Sequence, residues 1–272
     1  MDCLASESNT KMFTNWCKRM EQIAWQEDKK IGEYEAVKSA VVTFMNELMD
    51  RQTVTSLFYE KRSEELMYID NNNIIPLRLM SSGYRSLVGM VADIAYRMAI
   101  LNPDLKEEVV HKTPGVIMID ELDLHLHPRW QWKIIQALQK TFPKVQFIAT
   151  THSSIIIASA ENINIINLYD KDEENQTLDI SLEYRKSAKG WQIGDVLENY
   201  MNTTSRDKEI IDKLVRLKEL WYKKLMKNIT DTEKREIEQL EDYLNANLPE
   251  GDSSVEMAQL TPIEDILGGS EN

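Results

Sequence analysis

Two short apolar runs that each end in polar residues constrain the fold of this chain most. Residues 116–119 (Val-Ile-Met-Ile) stop at Asp120 and Glu121, and residues 145–150 stop at Thr151-His152. Such runs are typical of central strands in a parallel sheet, which are buried on both faces. A helix over 129–139, entered through Pro128, is predicted between them. This strand–helix–strand order predicts an α/β fold with right-handed crossovers.

The segment before these runs is predicted to be helical first and then stranded. Apolar residues recur at intervals of three and four from Thr10 to Asp50, with a break at Gly32, which predicts two helices. Residues 53–59 and 65–69 are predicted strands, and the polar residues 70–73 form a turn. A long helix is expected over 86–100.

The segment after the second run is predicted to end the α/β region and begin a helical one. A strand is expected over 163–168, followed by Lys- and Glu-rich helices over 193–201, 208–225 and 231–248. Residues 249–272 hold six acids and no base, which indicates a flexible acidic tail. The predicted organisation is a lid-like helical segment (1–52), an α/β lobe (53–188), a helical appendage (189–248) and the tail (249–272).

Composition excludes several classes of protein. The net charge of −13 disfavours a basic nucleic-acid coat protein. The two cysteines, Cys3 and Cys17, make neither a disulfide framework nor a Cys-based zinc site. No apolar stretch approaches the ~18 residues of a membrane span, and the start lacks the features of a signal peptide. We therefore expect a cytoplasmic protein with no membrane association.

The polar ends of the two runs carry residues suited to phosphate chemistry. The carboxyl end of a buried strand reaches the sheet edge where ligands bind in open α/β folds. There Asp120 can hold Mg²⁺ through water, and Glu121 can polarise an attacking water. His152, at the next strand tip, can donate a hydrogen bond to a γ-phosphate. Each signal alone is weak, because acidic residues and single histidines are also common in ordinary loops.

A third candidate site precedes the predicted long helix. The small residues Ser81, Ser82 and Gly83 leave backbone N–H groups open at an electropositive helix start, which suits an anion. Taken alone, these residues are better explained by simple capping, because serine before a helix is a good N-cap.

Taken in order, these three pieces resemble the C-terminal half of an ABC-type ATPase: signature motif, Walker B strand and switch histidine. The chain looks most like the OLD- and RecF-like ATPases, and within these like the ATPases of retron and Septu (PtuA-type) anti-phage systems. The likeness extends over about residues 54–168, and the segments that carry it are 79–86 (LMSSGYRS), 114–131 (PGVIMIDELDLHLHPRWQ) and 142–153 (FPKVQFIATTHS).

This resemblance implies a role for each matched residue. The implied roles are γ-phosphate contact with ATP held by a partner protomer (Ser81, Ser82 and Gly83), Mg²⁺ binding through water (Asp120), general base (Glu121), γ-phosphate sensor (His152) and the D-loop position (Leu126, His127 and Pro128). It further implies a homodimer closed around ATP, an effector nuclease, and DNA or a retron RNA–DNA molecule as partners.

The chain departs from that family in one respect. A Walker A loop, GxxxxGK[ST], should precede these motifs, yet none of the nine glycines is followed by Lys. Without that loop the β- and γ-phosphates have no cradle. The chain is therefore expected to be the C-terminal part of a longer ATPase and inactive by itself. Alternatively, another polypeptide supplies the N-terminal half, or the chain is a non-catalytic dimerisation or scaffold remnant.

Other clusters allow rival interpretations. Five potential ligands within eight residues (Asp120, Glu121, Asp123, His125 and His127) suggest a metal-dependent hydrolase. Acidic residues and histidines are also common in ordinary loops, so this is the less favoured interpretation. Five tryptophans are predicted to serve core or interface packing rather than base stacking (Trp16, Trp25, Trp130, Trp132 and Trp221). The Lys-rich helix over 208–225 is interleaved with acids, so a solvated face is favoured over a DNA contact.

Overall fold

The structure is a computed structural model, and it describes residues 6–161, 163–167, 183–186, 188–250 and 252–260. The chain divides into two compact units, Met1–Val196 and Leu197–Asn272. Each unit is built around its own apolar cluster.

The first unit begins with the two predicted helices, α1 (Ser6–Gln26) and α2 (Gly32–Met49). The predicted break is present over residues 27–31, and Gly32 is the first residue of α2. A Cβ at Gly32 would lie only 2.6 Å from Oε1 of Glu107. One face of α2 is buried in the core through Val37, Val41, Phe44 and Met45. Helix α2 contacts the next strand, and Asn46 strengthens that contact. Its side chain both donates to the carbonyl of Val54 (2.9 Å) and accepts from the Val54 amide (3.0 Å).

An antiparallel sheet with the order β1-β2-β3 follows α2. Its strands are β1 (Val54–Glu60), β2 (Glu65–Asp70) and β3 (Asn73–Pro76). The first two confirm the predicted strands. The third strand was not predicted, and it begins at Asn73, inside the segment 70–73 that was expected to form the turn. Asn71 and Asn72 alone form the turn, both with positive φ, and Asp70 pairs with Asn73.

The long helix α3 (Ser82–Leu101) is confirmed and begins four residues before the expected 86. It leads through a 3₁₀ segment (Pro103–Glu108) and α4 (Val109–Lys112) into β4 (Gly115–Ile119). The helix expected over 129–139 is two helices, α5 (Pro128–Gln131) and α6 (Ile134–Thr141), which are separated at Trp132 and Lys133. After them come β5 (Val145–Ala149) and α7 (Ser154–Ser159).

Strands β4 and β5 are parallel, with Ile117 opposite Phe147 in the register. The expectation that they are buried on both faces is wrong. Ile117, Ile119, Val145 and Phe147 pack against the core, but on the other face Val116 is 62%, Met118 79% and Ile148 48% exposed. Within the described residues, α5 and α6 connect the strands on one side and nothing covers the other. We call Val116, Met118 and Ile148 the bare face.

The next strand, β6 (Asn164–Asn167), lies within the predicted 163–168, whose last residue is outside the described residues. It does not extend the parallel pair in the described part of the chain. Instead it pairs antiparallel with β7 (Glu183–Lys186), with Ile165 opposite Arg185.

The helices expected after residue 190 are confirmed as α8 (Ile193–Tyr200), α9 (Lys208–Leu225) and α10 (Asp231–Asn247). Part of the segment expected to be a flexible tail is also helical, as α11 (Ser254–Leu260). Apolar residues at helical spacing explain the difference, because Val255 and Ala258 are buried against Leu217, Leu220 and Leu244. The remainder of that tail, 261–272, lies outside the described residues. Among the described helices, none combines the length and hydropathy that crossing a membrane requires.

Candidate functional site

The carboxyl ends of β4 and β5 lie side by side and place the candidate residues at one edge of the sheet. Pairing continues one step beyond the strands. The Thr150 amide donates to the Ile119 carbonyl (3.0 Å), and the Leu122 amide donates to the Thr150 carbonyl (2.9 Å). Buried Leu122 anchors the loop that begins at Asp120. The loops after the two strands are therefore held together by main-chain hydrogen bonds.

Thr150 joins the two carboxylate residues that follow β4. Its hydroxyl donates to Asp120 Oδ1 (2.5 Å) and accepts from the Glu121 amide (2.8 Å). Both carboxylates are exposed at this edge. Glu121 has a φ of 51°, in the left-handed region that non-glycine residues seldom adopt. Sequence reasoning missed Thr150, although a hydroxyl at the end of the neighbouring parallel strand was the available signal.

Asp123 makes a second connection between the two loops. Its Oδ1 accepts from the Thr151 hydroxyl (2.5 Å) and from the His152 amide (3.1 Å). Ser153 caps α7 and donates its hydroxyl to Gln131 Oε1 (2.7 Å), and Gln131 Nε2 donates to the Leu126 carbonyl (3.1 Å). Side chains from three segments therefore surround the His152 backbone, while its imidazole is exposed.

The residues before α3 form the cap that sequence reasoning allowed as an alternative. Ser81 Oγ accepts from the Tyr84 amide at 3.5 Å, and Arg85 donates to the carbonyls of Arg78 (3.0 Å) and Met80 (2.7 Å). Ser81 and Ser82 are exposed, so the cap leaves them open to a ligand. Among the described residues no hydrogen bond joins either serine to Asp120, Glu121 or His152.

Gly83 is buried and touches the loop that follows β4. A Cβ at this position would lie 3.0 Å from the carbonyl oxygen of His125 and 3.5 Å from the Trp130 ring. Beside it, the rings of Tyr84 and Trp130 meet edge to face, with centroids 4.9 Å apart. The start of α3 and the loop 121–130 thus form one packed unit. Sequence reasoning assigned Trp130 only to general packing, and nothing in its local pattern indicated this partner.

His127 lies at the start of α5 and caps it. Its Nδ1 accepts from the Arg129 amide (3.2 Å), so in this arrangement the ring proton of the neutral imidazole is on Nε2. The ring is exposed, with Trp130 packed 6.4 Å away between centroids. Capping fixes the backbone at the predicted D-loop position.

The rival metal-hydrolase interpretation needs several ligands around one ion. Within the part of the chain that the structure describes, no group of three or more His, Cys, Asp or Glu side chains could hold a metal. The hydrogen bonds from Thr150 and Thr151 direct Asp120 and Asp123 to different partners. The five clustered residues therefore do not form a joint ligand set. A single carboxylate such as Asp120 does suit Mg²⁺, which keeps several waters and is completed by substrate phosphates.

Two other sequence interpretations can be compared with the structure. Core packing was one of the two roles predicted for the tryptophans, and it is wrong for Trp25, which is 76% exposed, and for Trp132, which is also exposed. Interface packing stays a prediction for both. On α9, Arg216 pairs with Glu236 and Lys223 with Glu233, as expected for a solvated face.

Comparison with known proteins shows what the chain resembles. A family model described as "AAA ATPase domain" matches residues 4–157. "Retron Vc95 probable ATPase" of Vibrio cholerae serotype O1 biovar El Tor is 43% identical over 108 residues, which cover 39% of this chain and 21% of that protein. "Retron Ec83 probable ATPase" of Escherichia coli is 35% identical over 152 residues, covering 56% and 26%. "Septu protein PtuA" of Bacillus mycoides is 31% identical over 186 residues, covering 67% and 24%.

The chain thus spans about a quarter of the length of these relatives. Solved structures of SMC ATPases show a partial likeness. One, described as "Structural biochemistry of ATP-driven dimerization and DNA stimulated activation of SMC ATPases", is 18% identical with a TM-score of 0.36, covering 50% of this chain and 79% of that one. An SmcHead bound to the C-winged helix domain of ScpA is 19% identical with a TM-score of 0.35, covering 48% and 38%.

Proposed function

Because this chain belongs to the AAA ATPase domain family, we propose that it supplies the signature, Walker B and switch-histidine half of an ATP-hydrolysing ABC-type head. The observation that carries the proposal is the pair of bonds made by Thr150. This hydroxyl orients the Asp120 carboxylate and holds the Glu121 amide at the edge where β4 and β5 end. The Asp120 carboxylate and the backbone of Glu121 are thereby held at the edge where ligands bind in parallel sheets, which supports separate tasks for the two residues.

Asp120 would hold Mg²⁺ through water, and the bound ion would supply charge that stabilises the phosphate oxygens of ATP. Glu121 would accept the proton of the attacking water, because it is exposed and its backbone is fixed by the Thr150 hydroxyl. His152 would donate a hydrogen bond to the γ-phosphate from its exposed imidazole.

Ser81 and Ser82 would serve the nucleotide of a partner protomer. They are exposed at the first turn of the 20-residue helix α3, whose free N–H groups and dipole favour an anion. Gly83 would let the helix start approach the partner's γ-phosphate, and in its own chain it also packs against the His125 carbonyl. His127 would occupy the D-loop position in the contact between the two protomers. The result is a homodimer closed around ATP.

Turnover also requires a phosphate loop, and no glycine of this chain precedes a lysine. We call the strand, GxxxxGK[ST] loop and helix that would supply it the phosphate-loop lobe. The bare face is a suitable place for it, because parallel sheets are covered on both faces and Val116, Met118 and Ile148 lie open. Whether the lobe is continuous with this chain or a separate polypeptide does not change this assignment.

The biological role is proposed from the relatives. They carry the names of retron ATPases and Septu proteins, and we propose a cytoplasmic anti-phage defence system as the setting. An effector nuclease, and DNA or a retron RNA–DNA molecule, are the proposed partners.

A second candidate function is a non-catalytic dimerisation or scaffold module. The missing Gly-Lys pair favours it, because a chain that never meets a phosphate-loop lobe has no cradle for the β- and γ-phosphates.

Steady-state ATP turnover separates the two functions. The chain is assayed alone and together with a phosphate-loop lobe, fused ahead of it or co-expressed. We expect no turnover alone and turnover in the assembly. Glu121→Gln should lower kcat about 10²–10⁴-fold, the usual effect of losing a general base. The matched control Glu238→Gln, at an exposed position of α10, should change nothing.

Turnover that Glu121→Gln leaves intact would contradict the assignment of the base. An assembly that binds ATP and dimerises without hydrolysing it would favour the scaffold.

A further inference from the structure

Asp123 has no role in the chemistry assigned above, yet its side chain links the loop after β4 to the loop after β5 that contains His152. It is half-buried, three residues beyond Asp120, and its Oδ1 receives two hydrogen bonds. One comes from the Thr151 hydroxyl at 2.5 Å and the other from the His152 amide at 3.1 Å. The Asp123 carboxylate therefore binds the backbone amide of His152, whose imidazole is exposed.

The hydrogen bonds continue on the other side of His152. The Ser153 amide donates to the Thr151 hydroxyl (3.0 Å), and the Ser153 hydroxyl donates to Gln131 (2.7 Å). Gln131 in turn donates to the carbonyl of Leu126, in the same loop as Asp123. The connections form a closed ring that begins and ends in the loop 120–127. Linked hydrogen bonds of this kind strengthen one another.

The ring limits what the backbone of His152 can do. Thr151 is bonded through its hydroxyl, and Ser153 is bonded through both its side chain and its main chain, so the chain is held on both sides of His152. Hydrogen bonds to an ionised acceptor are stronger than neutral ones, which makes Asp123 the strongest member of the ring.

We propose that Asp123 is a positioning residue that holds His152 in place for the γ-phosphate. The proposal rests on the proposed function of His152. Asp123 does not touch the substrate; it acts through the His152 amide and the Thr151 hydroxyl. A displacement of about 1 Å at a reacting group can cost about 10²-fold in rate, and this is the loss the ring prevents.

The first test uses the chain itself and needs no activity. The amide proton of His152 is followed by NMR in the unaltered chain, Asp123→Ala, Asp123→Asn and the control Asp242→Ala, at an exposed position of α10. Asp123→Ala should move the His152 amide resonance upfield and speed its hydrogen exchange. Asp123→Asn keeps an oxygen acceptor and should retain most of the protection. Thr151→Val, which removes only the hydroxyl, should give an intermediate effect. An unchanged His152 amide in a folded Asp123→Ala chain overturns the proposal.

The second test is a double-mutant cycle on ATP turnover in the assembly with the phosphate-loop lobe. Asp123→Ala should lower kcat by up to about 10²-fold with little change in KM. In a His152→Ala background it should have no further effect, and Asp123→Asn should restore most of the rate. Equal losses in both backgrounds would show that Asp123 acts independently of His152 and would overturn the proposal.

The two tests keep this proposal separate from the proposed function. If His152→Ala does not slow turnover, the role given to His152 is wrong. The NMR result alone then decides whether Asp123 holds that loop: a shifted amide supports the positioning, and an unshifted one overturns it.

Discussion

Two different neighbours, one in the partner protomer and one in its own chain, favour glycine at position 83. The sequence resemblance gives it a contact with a partner's nucleotide, for which the absence of a side chain permits close approach. The structure adds a neighbour in the same chain, because a Cβ would stand 3.0 Å from the His125 carbonyl oxygen. Backbone atoms yield less readily than the end of a flexible side chain. The glycine therefore also serves packing within its own chain, before any ligand arrives.

A matched pair of substitutions in α3 tests this at the residue scale. Gly89→Ala should stabilise the chain by about 0.5–1 kcal/mol, because Gly89 is exposed in mid-helix with nothing within 4 Å of the added Cβ. Gly83→Ala should instead destabilise it by about 1 kcal/mol through crowding. Urea unfolding measures both. If the two variants are equally stabilised, the His125 carbonyl yields freely and Gly83 is needed only for the partner's nucleotide.

At the scale of elements, the parallel pair β4–β5 is apolar on both sides, but the described part of the chain covers only one of them. Met118 and Ile117 are neighbours in the chain, yet they point to opposite faces, as alternation along a strand requires. Ile117 packs against the core, whereas Met118 is open. An exposed apolar surface next to unpaired strand edges promotes association.

We therefore expect the chain without a phosphate-loop lobe to self-associate, and Met118→Lys to reduce this. The substitution should change the free energy of unfolding by less than about 0.5 kcal/mol, because the Met118 side chain is mostly exposed. Light scattering over a concentration series is the measurement, with Leu225→Lys, at an exposed apolar position of α9, as the control. A monomeric unaltered chain at high concentration, with no binding of an apolar-surface dye, would contradict the expectation.

The start of α10 is held by charge as well as by shape. Thr230 and Glu233 form a capping box, and Lys223 Nζ donates to Glu233 Oε1 at 2.7 Å. The Lys223 ammonium, followed by the Thr230 amide and hydroxyl, lowers the pKa of Glu233 from its ordinary 4.5 to about 2. Because the folded pKa is below the unfolded one, protons bind preferentially to the unfolded chain.

The stabilisation by Glu233 is therefore complete above pH 4.5 and disappears as the pH falls towards 2. Glu233→Gln should lower the melting temperature at pH 7 and flatten its dependence on pH in this window. Thermal unfolding followed by circular dichroism at several pH values measures this. Glu238→Gln, one turn further along and exposed, should keep the slope of the unaltered chain. Identical slopes for both variants would show that the capping box contributes nothing to the acid response.

At the scale of the whole molecule, the proposed ATP-closed homodimer predicts opposite results for two variants of the assembly. Glu121→Gln should accumulate a dimer with ATP, because binding persists while hydrolysis stalls. Ser82→Arg should bind ATP and stay monomeric, since a bulky cation at the exposed start of α3 blocks close approach. Ser82 is preferable to Gly83→Arg, whose Cβ would also collide with the chain's own His125.

Analytical ultracentrifugation with and without ATP distinguishes these variants. Gln136→Arg, at an exposed position of α6, controls for added charge and should dimerise as the unaltered assembly does. If Glu121→Gln and Ser82→Arg dimerise equally with ATP, the closed-dimer assignment of these motifs is wrong.

The sequence by itself determined the elements of this protein, because their causes are local. Helical spacing located α1, α2 and α9, and apolar runs located β4 and β5. Motif order identified the family from residues that are close in the chain. The third strand β3 and helix α11 were missed, since a strand of four residues and a short apolar helix face give little local signal.

Only the tertiary structure decided which side chains meet. Thr150 and Asp120 are thirty residues apart, and their hydrogen bond exists because β4 and β5 pair in one parallel register. The links from Asp123 to His152 and from Gly83 to His125 depend in the same way on packing between distant segments. The sequence also could not decide which side chains are buried. An apolar run shows that a strand is able to bury its side chains, but the exposure of Met118 depends on whether another segment packs against that face.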